Sequence, residues 1–171
     1  AVAQQWPDKP VRIMVPYPPG GGTDIQARLL SVAFQKSMGQ NFIVDNRTGA
    51  SGLFGTQLAV ESPPDGNTIL FASGIISVVV TLYAKRIKFN VHNDLAPVSW
   101  ISSTPLVLSL HPSVPAKSVK ELVALAKRTP GGMNAAGNAA GTTAHLTAEM
   151  LNQVTGIKST VLTYRGGGPS V

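Results

Sequence analysis

The chain has 171 residues, of which 43% are hydrophobic and 13% charged, which suits a packed protein of one full domain or two small ones and argues against disorder. The net charge is +6, yet the basic residues stand singly or in pairs such as Lys85-Arg86 and Lys127-Arg128, which argues against nucleic acid as a partner. The absence of cysteine excludes disulfides and thiol chemistry, and the longest apolar run, Ile75–Val80, is too short to cross a bilayer.

The first residues, Ala1-Val2-Ala3, follow the small-x-small pattern that ends a secretory signal peptide. Residues 1–5 therefore read as the start of a mature, exported chain. Val11–Tyr17 reads as a buried strand ending on Pro18-Pro19. A helix follows over Asp24–Met38, with Ile25, Leu29, Val32 and Ala33 on one face and Gly39 as its stop. Asn41–Asn46 is a second strand, Leu53–Glu61 a short helix and Thr68–Ser73 a third strand. Strand alternating with helix predicts a parallel sheet with right-handed crossovers.

Ile75–Tyr83 fits helix or strand, Phe89–Pro97 looks like a turn, and Val98–Ser102 and Leu106–His111 are separate apolar pieces. Ser118 and Glu121 have capping-box spacing, with the glutamate expected to reach back to the serine N–H. The helix they start runs to about Arg128, with Val119, Leu122, Val123 and Ala126 inward. Met133–Gly137 is a plausible strand, His145–Val154 a helix with Leu146, Met150, Leu151 and Val154 as its apolar positions, and Ser159–Tyr164 a final strand. A second alternation thus begins near residue 105.

Three turns share one design, small residues between a strand and a helix start: Pro18–Asp24, Arg47–Gly52 and Gly137–Thr143. Such turns lie at the carboxyl edge of a parallel sheet, where ligands bind. Helix starts carry unpaired N–H groups and the positive dipole end, and glycine lets a ligand approach the backbone. Each turn is also what ordinary capping would select. The first is not a phosphate loop, because Thr23-Asp24 stand where Lys and Ser or Thr belong. Asp24 reads either as a first-turn carboxylate favoured by the dipole or as an acceptor for a ligand's amine, hydroxyl or bridging water. If it reads the ligand, its loss should alter ligand preference more than folding. No nucleophile motif is found, since Leu53 breaks a Gly-x-Ser-x-Gly pattern at residues 49–53. His92, His111 and His145 have no metal spacing. His145, beside Thr142 and Thr143, reads first as a surface or capping residue.

The stretches "WPDKPVRIMVPYPPGGGTDIQARLL", "GQNFIVDNRTGASGLFGT", "PPDGNTILFAS", "PAKSVKELVALAK", "HLTAEML" and "YRGGGPS" resemble, in order, the signatures of tripartite tricarboxylate transporter substrate-binding proteins, also called Bug receptors. The resemblance runs from Trp6 to Ser170. It implies an α/β, two-lobed periplasmic-binding-protein (Venus-flytrap) fold with a ligand cleft. Lobe 1 would span 6–98, a hinge crossing 99–105 and lobe 2 106–171, the chain stopping within lobe 2 and therefore prone to associate. It implies a periplasmic receptor rather than an enzyme, without cofactor or metal. The ligand would be a small carboxylate, and the partners the membrane permease subunits of the transporter. A signalling receptor serving a sensor kinase, or an enzyme acting on an anionic substrate, are the alternatives. Carried over by position, the ligand-binding residues are Tyr17, Pro19, Gly20, Gly21 and Asp24, then Gly49, Ser51 and Gly52, then Ser73 and Gly74. In lobe 2 they are Asn138, standing where the family's serine is missing, with Gly141, Thr142, Thr143 and Tyr164.

Overall fold

The computed structural model describes residues 6–137 and 140–164. The chain divides into two compact units, one up to Ala96 and one from Pro97. In the first, β1 (Val11–Val15) lies between β2 (Phe42–Asn46) and β3 (Thr68–Leu70), all parallel. Helix α1 (Gly22–Met38) connects β1 to β2, and α2 (Leu53–Val60) leads to β3. Helices α3 (Ile76–Leu82) and α4 (Val91–Asp94) complete the unit. Its core joins Val11, Ile13, Val15, Ala27 and Phe42, with Tyr17, Phe34, Val44, Ile69 and Phe71 packed against them. Four of the five β1 residues are buried, as expected for a central parallel strand covered on both faces.

The second unit contains α5 (Val119–Arg128), β4 (Met133–Gly137), α6 (Thr143–Thr155) and β5 (Ser159–Thr163), the two strands pairing in parallel. Its β4-α6-β5 run repeats the build of β1-α1-β2. Each helix follows a left-handed glycine, Gly20 (φ 78°) or Gly141 (φ 81°), and an extended residue, Gly21 or Thr142, at φ −75°, ψ 162°. Each ends on a left-handed glycine, Gly39 (φ 71°) or Gly156 (φ 69°). The strands engage alike: Val11 N–H donates to Asn41 O at 2.9 Å and Met133 N–H to Lys158 O at 3.1 Å. Beyond the strands, Arg47 N–H donates to Val15 O at 2.9 Å and Tyr164 N–H to Gly137 O at 3.0 Å.

Several expectations are corrected. The face of α1 proposed as apolar points outward, with Ile25, Leu29 and Val32 more than half exposed and Ala33 exposed too. The helix instead packs through Asp24 and Ala27, with Phe34 against Phe42, so a polar network and a small residue decide its rotation. Val119 is likewise outward on α5, which buries Leu122 and Ala126, and Met150 and Val154 are outward on α6. β3 stops at Leu70, although Phe71 N–H still bonds Met14 O. The ambiguous Ile75–Tyr83 stretch is helical over α3, and the turn-like segment contains the single turn α4. The apolar pieces at 98–111 form no regular element, so the second unit's first element is α5.

Candidate functional site

Asp24 organises the first loop. Its carboxylate is buried and accepts from Gly20 N–H at 2.8 Å, Arg28 Nε at 3.0 Å and Asn46 Nδ2 at 3.0 Å. Burial alone would raise its pKa, but the bonds from Arg28, Gly20 and Asn46 outweigh that and hold it below the ordinary 3.8. Asn46, the last residue of β2, also donates to Tyr17 O at 3.0 Å and accepts from Arg28 Nη2 at 3.1 Å. Strand end, loop and helix are thus locked together. Neither Arg28 nor Asn46 was singled out from sequence. The available signal was the polar Asp45-Asn46 pair closing an otherwise apolar strand.

The start of α1 carries no side-chain cap, and Gly21 rather than Thr23 or Asp24 is its N-cap. No described residue accepts from the N–H of Gly22 or Thr23. Beside Gly20, Gly22 and Gly74 an added Cβ would meet nothing within 4 Å. The loop therefore offers bare donors at the dipole's positive end with space in front of them. Helices α4 and α5 behave otherwise. Asn90 caps α4 from its side chain. Ser118 Oγ accepts from Glu121 N–H at 3.2 Å, while Glu121 Oε2 accepts from Lys117 N–H at 2.7 Å, one residue before the position expected. The starts of α4 and α5 are closed by their own side chains, whereas α1, like α2, α3 and α6, has no side-chain cap bond.

The second loop is strained. Gly49, Ala50, Ser51 and Gly52 all have positive φ, at 148°, 45°, 55° and 100°, and two of them carry side chains that disfavour it. Gly52 brings this turn against Tyr17: a Cβ there would lie 3.0 Å from Tyr17 Cε1. The Tyr17 hydroxyl is shielded from solvent and has no hydrogen bond of normal geometry. Burial raises its pKa above 10.0, and nearby Ser73 offsets part of that rise. Tyr17, Gly52 and Ser73 are thereby brought together. Gly74 follows at the entry to α3, where its carbonyl accepts from Ser77 Oγ at 2.8 Å. Pro19 is exposed on the first loop. Arg47, the basic residue of the second turn, pairs with Asp45 at 2.9 Å.

In the second unit Gly141 is buried, Thr142 is the N-cap of α6 without a side-chain cap bond, and Thr143 is the first helical residue. Tyr164 lies at the carboxyl end of β5, 38% exposed. Asn138 falls outside the described residues. A cavity of about 600 Å³ lies elsewhere on the first unit, lined by Lys9, Arg12, Asp45 and Asp65 among others. It reaches Arg47 but none of the glycines of the three turns, and its charges are paired, Lys9 with Asp65 at 3.0 Å and Arg12 with Asp45 at 3.8 Å. Among the described residues no cluster of His, Asp or Glu could hold a metal ion, and no helix is long and apolar enough to cross a membrane.

Known proteins fit this geometry. BugT of Bordetella pertussis is 39% identical over 170 residues, covering 99% of this chain and 52% of that protein. A solved structure described as a periplasmic transporter superposes with TM-score 0.87 at 30% identity, covering 96% of this chain and 55% of the other. An R. palustris protein solved with adipate gives TM-score 0.85 at 32% identity over the same shares. The chain thus spans about half the length of these relatives, and its α/β units have the periplasmic-binding-protein fold. The sequence profile described as "Tripartite tricarboxylate transporter family receptor" matches residues 26–171, and the chain belongs to that family.

Proposed function

We propose that the chain captures a small carboxylate in the periplasm, after loss of a signal peptide, and presents it to the permease subunits of a tripartite tricarboxylate-type transporter. Di- and tricarboxylates, acidic amino acids and aromatic acids are the ligand classes. Lobe 1 corresponds to 6–98, the hinge to 99–105 and lobe 2 to 106–171. The observation that carries the reading is the open start of α1: uncapped N–H groups at Gly22 and Thr23 beside unobstructed glycines. Such an array holds a carboxylate by backbone donors and dipole, without a cationic clamp. The adipate carried by the R. palustris relative supports the same ligand class. Tyr17, Pro19, Gly20, Gly21, Gly49, Ser51, Gly52, Ser73 and Gly74 form the first unit's contact set. Asn138, Gly141, Thr142, Thr143 and Tyr164 form the second's. Asp24 positions its loop from behind, both oxygens being engaged within the chain.

Calorimetric titration with adipate, malate, citrate, glutamate and benzoate tests this. Saturable heat is expected with at least one acid. No heat with any of them rejects the proposal.

A further inference from the structure

The β1-α1-β2 and β4-α6-β5 repeats place different side chains at one equivalent position. In the first, the left-handed Gly20 and extended Gly21 lead into α1, whose third residue is Asp24. In the second, Gly141 and Thr142 lead in the same conformation into α6, whose third residue is His145. Asp24 turns back and accepts from Gly20 N–H. Two other helix starts repeat that reach-back, Asp94 to Asn90 N–H at 2.7 Å and Glu121 to Lys117 N–H at 2.7 Å. His145 departs from it. Its Nδ1 is shielded from solvent and has no hydrogen-bond partner among the described residues.

A buried polar atom without a partner is uncommon and costly, and calls for a reason. Packing holds this one in place. A Cβ on Gly137 would meet Val161 Cγ1 at 2.9 Å and His145 Cα at 3.6 Å, so the first turn of α6 lies tight against the carboxyl end of β4. That is the strand end at which ligands meet a parallel sheet. The His145 backbone is thereby fixed beside the end of β4. A neutral imidazole can carry its proton on Nδ1 and donate. Among the described residues none accepts from it, and the start of α6 beside it has a field that favours an anion.

We propose that His145 is a ligand-binding residue of the second unit, its Nδ1–H donating to a carboxylate oxygen of the bound acid. The proposal rests on the carboxylate-capture reading above. It gives the second unit a side-chain donor where the first relies on backbone N–H groups. An acid whose carboxylate is replaced by an amide or ester loses the negative partner that this donor selects.

Adipate is the probe, read by calorimetry and by the imidazole nitrogen resonances of 15N-labelled protein, with His145 assigned by its loss in His145→Ala. At saturation the Nδ1 resonance is expected at the position of a protonated ring nitrogen, moved from its ligand-free position. His145→Ala is expected to weaken adipate about tenfold or more, the loss of one charge-assisted bond, with little change in melting temperature. His145→Asn, whose amide N–H reaches toward the Nδ1 position, should stay within about threefold of the unsubstituted protein. Adipate binding that is equal in His145→Ala, or an Nδ1 resonance unmoved at saturation, overturns the inference and leaves carboxylate capture standing. Affinity and melting temperature that fall together with no nitrogen shift also overturn it, as a structural histidine would behave so. Absence of binding by the unsubstituted protein to every acid tried overturns both readings.

Discussion

The loop after β1 is tied down by its own side chains, and the loop after β4 leads into its helix through the same entry conformation with a different residue at the matching helical position. Asp24, Arg28 and Asn46 bind one another and the backbone of Tyr17 and Gly20. At the equivalent position of the second unit His145 has a buried nitrogen without a partner among the described residues. The cores differ in the same sense. The first unit buries Val11, Ile13, Met14, Val15, Ala27 and Phe42, while the second buries Leu122, Ala126 and Ile157. One backbone frame can thus be fixed by internal bonds or left with a donor for a ligand to complete. Glycine placement sets the frame, and the third helical residue decides which use is made of it.

Asp24→Ala should break this comparison most severely. It leaves the Gly20 N–H without its acceptor, Asn46 with Tyr17 O alone as its acceptor and Arg28 without its ion pair. A loss of about 3 kcal/mol is expected for removing one partner from a buried, charge-bonded network. Trp6, which packs edge-on against Phe42 at 6.4 Å, reports the first unit's unfolding by fluorescence in a Trp100→Phe background. A loss below about 1 kcal/mol would show that the carboxylate is not what holds the loop. The same group gives a pH signature. Its folded pKa lies below 3.8, so its contribution is complete above that value. It is lost as pH falls through the lowered folded value. Asp24→Asn should flatten the acid limb of the first unit's stability profile. An unchanged limb would assign the acid sensitivity to other carboxylates.

His145→Ala is the matched substitution and should cost much less, within about 1 kcal/mol, since its Nδ1 has no hydrogen bond to lose among the described residues. Denaturation followed by far-UV dichroism checks it. A cost equal to that of Asp24→Ala would show that the imidazole holds its loop as the aspartate does.

Much of this frame was legible in the sequence. Apolar β1, the Gly39 stop and the Ser118 start are local signals, and local chemistry decides them. The rotation of α1 was not legible. Ile25, Leu29 and Val32 form a regular stripe, yet the helix turns a carboxylate inward because Asn46 and Arg28, distant in sequence or on the far side of the turn, satisfy it. Periodicity reads polarity and cannot see a polar network that is complete only in three dimensions. His145 was singled out beside Thr142 and Thr143, but its equivalence to Asp24 was not legible. Its place is defined by likeness to Asp24, and the two loops share one left-handed glycine before the helix but no side-chain chemistry. The positive φ of Ala50 and Ser51 had no sequence signal, because neither residue type favours it.

The smallest expected effect lies in that last turn. Among the described residues, Ala50 and Ser51 are the non-glycine residues with positive φ, and both belong to the first unit. A left-handed alanine costs roughly 1–2 kcal/mol, and glycine gives back about 0.5–1 kcal/mol of that through the freedom it adds to the unfolded chain. Ala50→Gly should therefore stabilise the first unit by about 0.5–1 kcal/mol in the Trp6 assay. Strain kept in place by its surroundings is a mark of functional sites, so the gain should come with weaker adipate binding as the turn loosens. Stabilisation with unchanged affinity would make Ala50 a tolerated misfit, and the rigid first unit would then owe its ligand geometry to the Asp24 network alone.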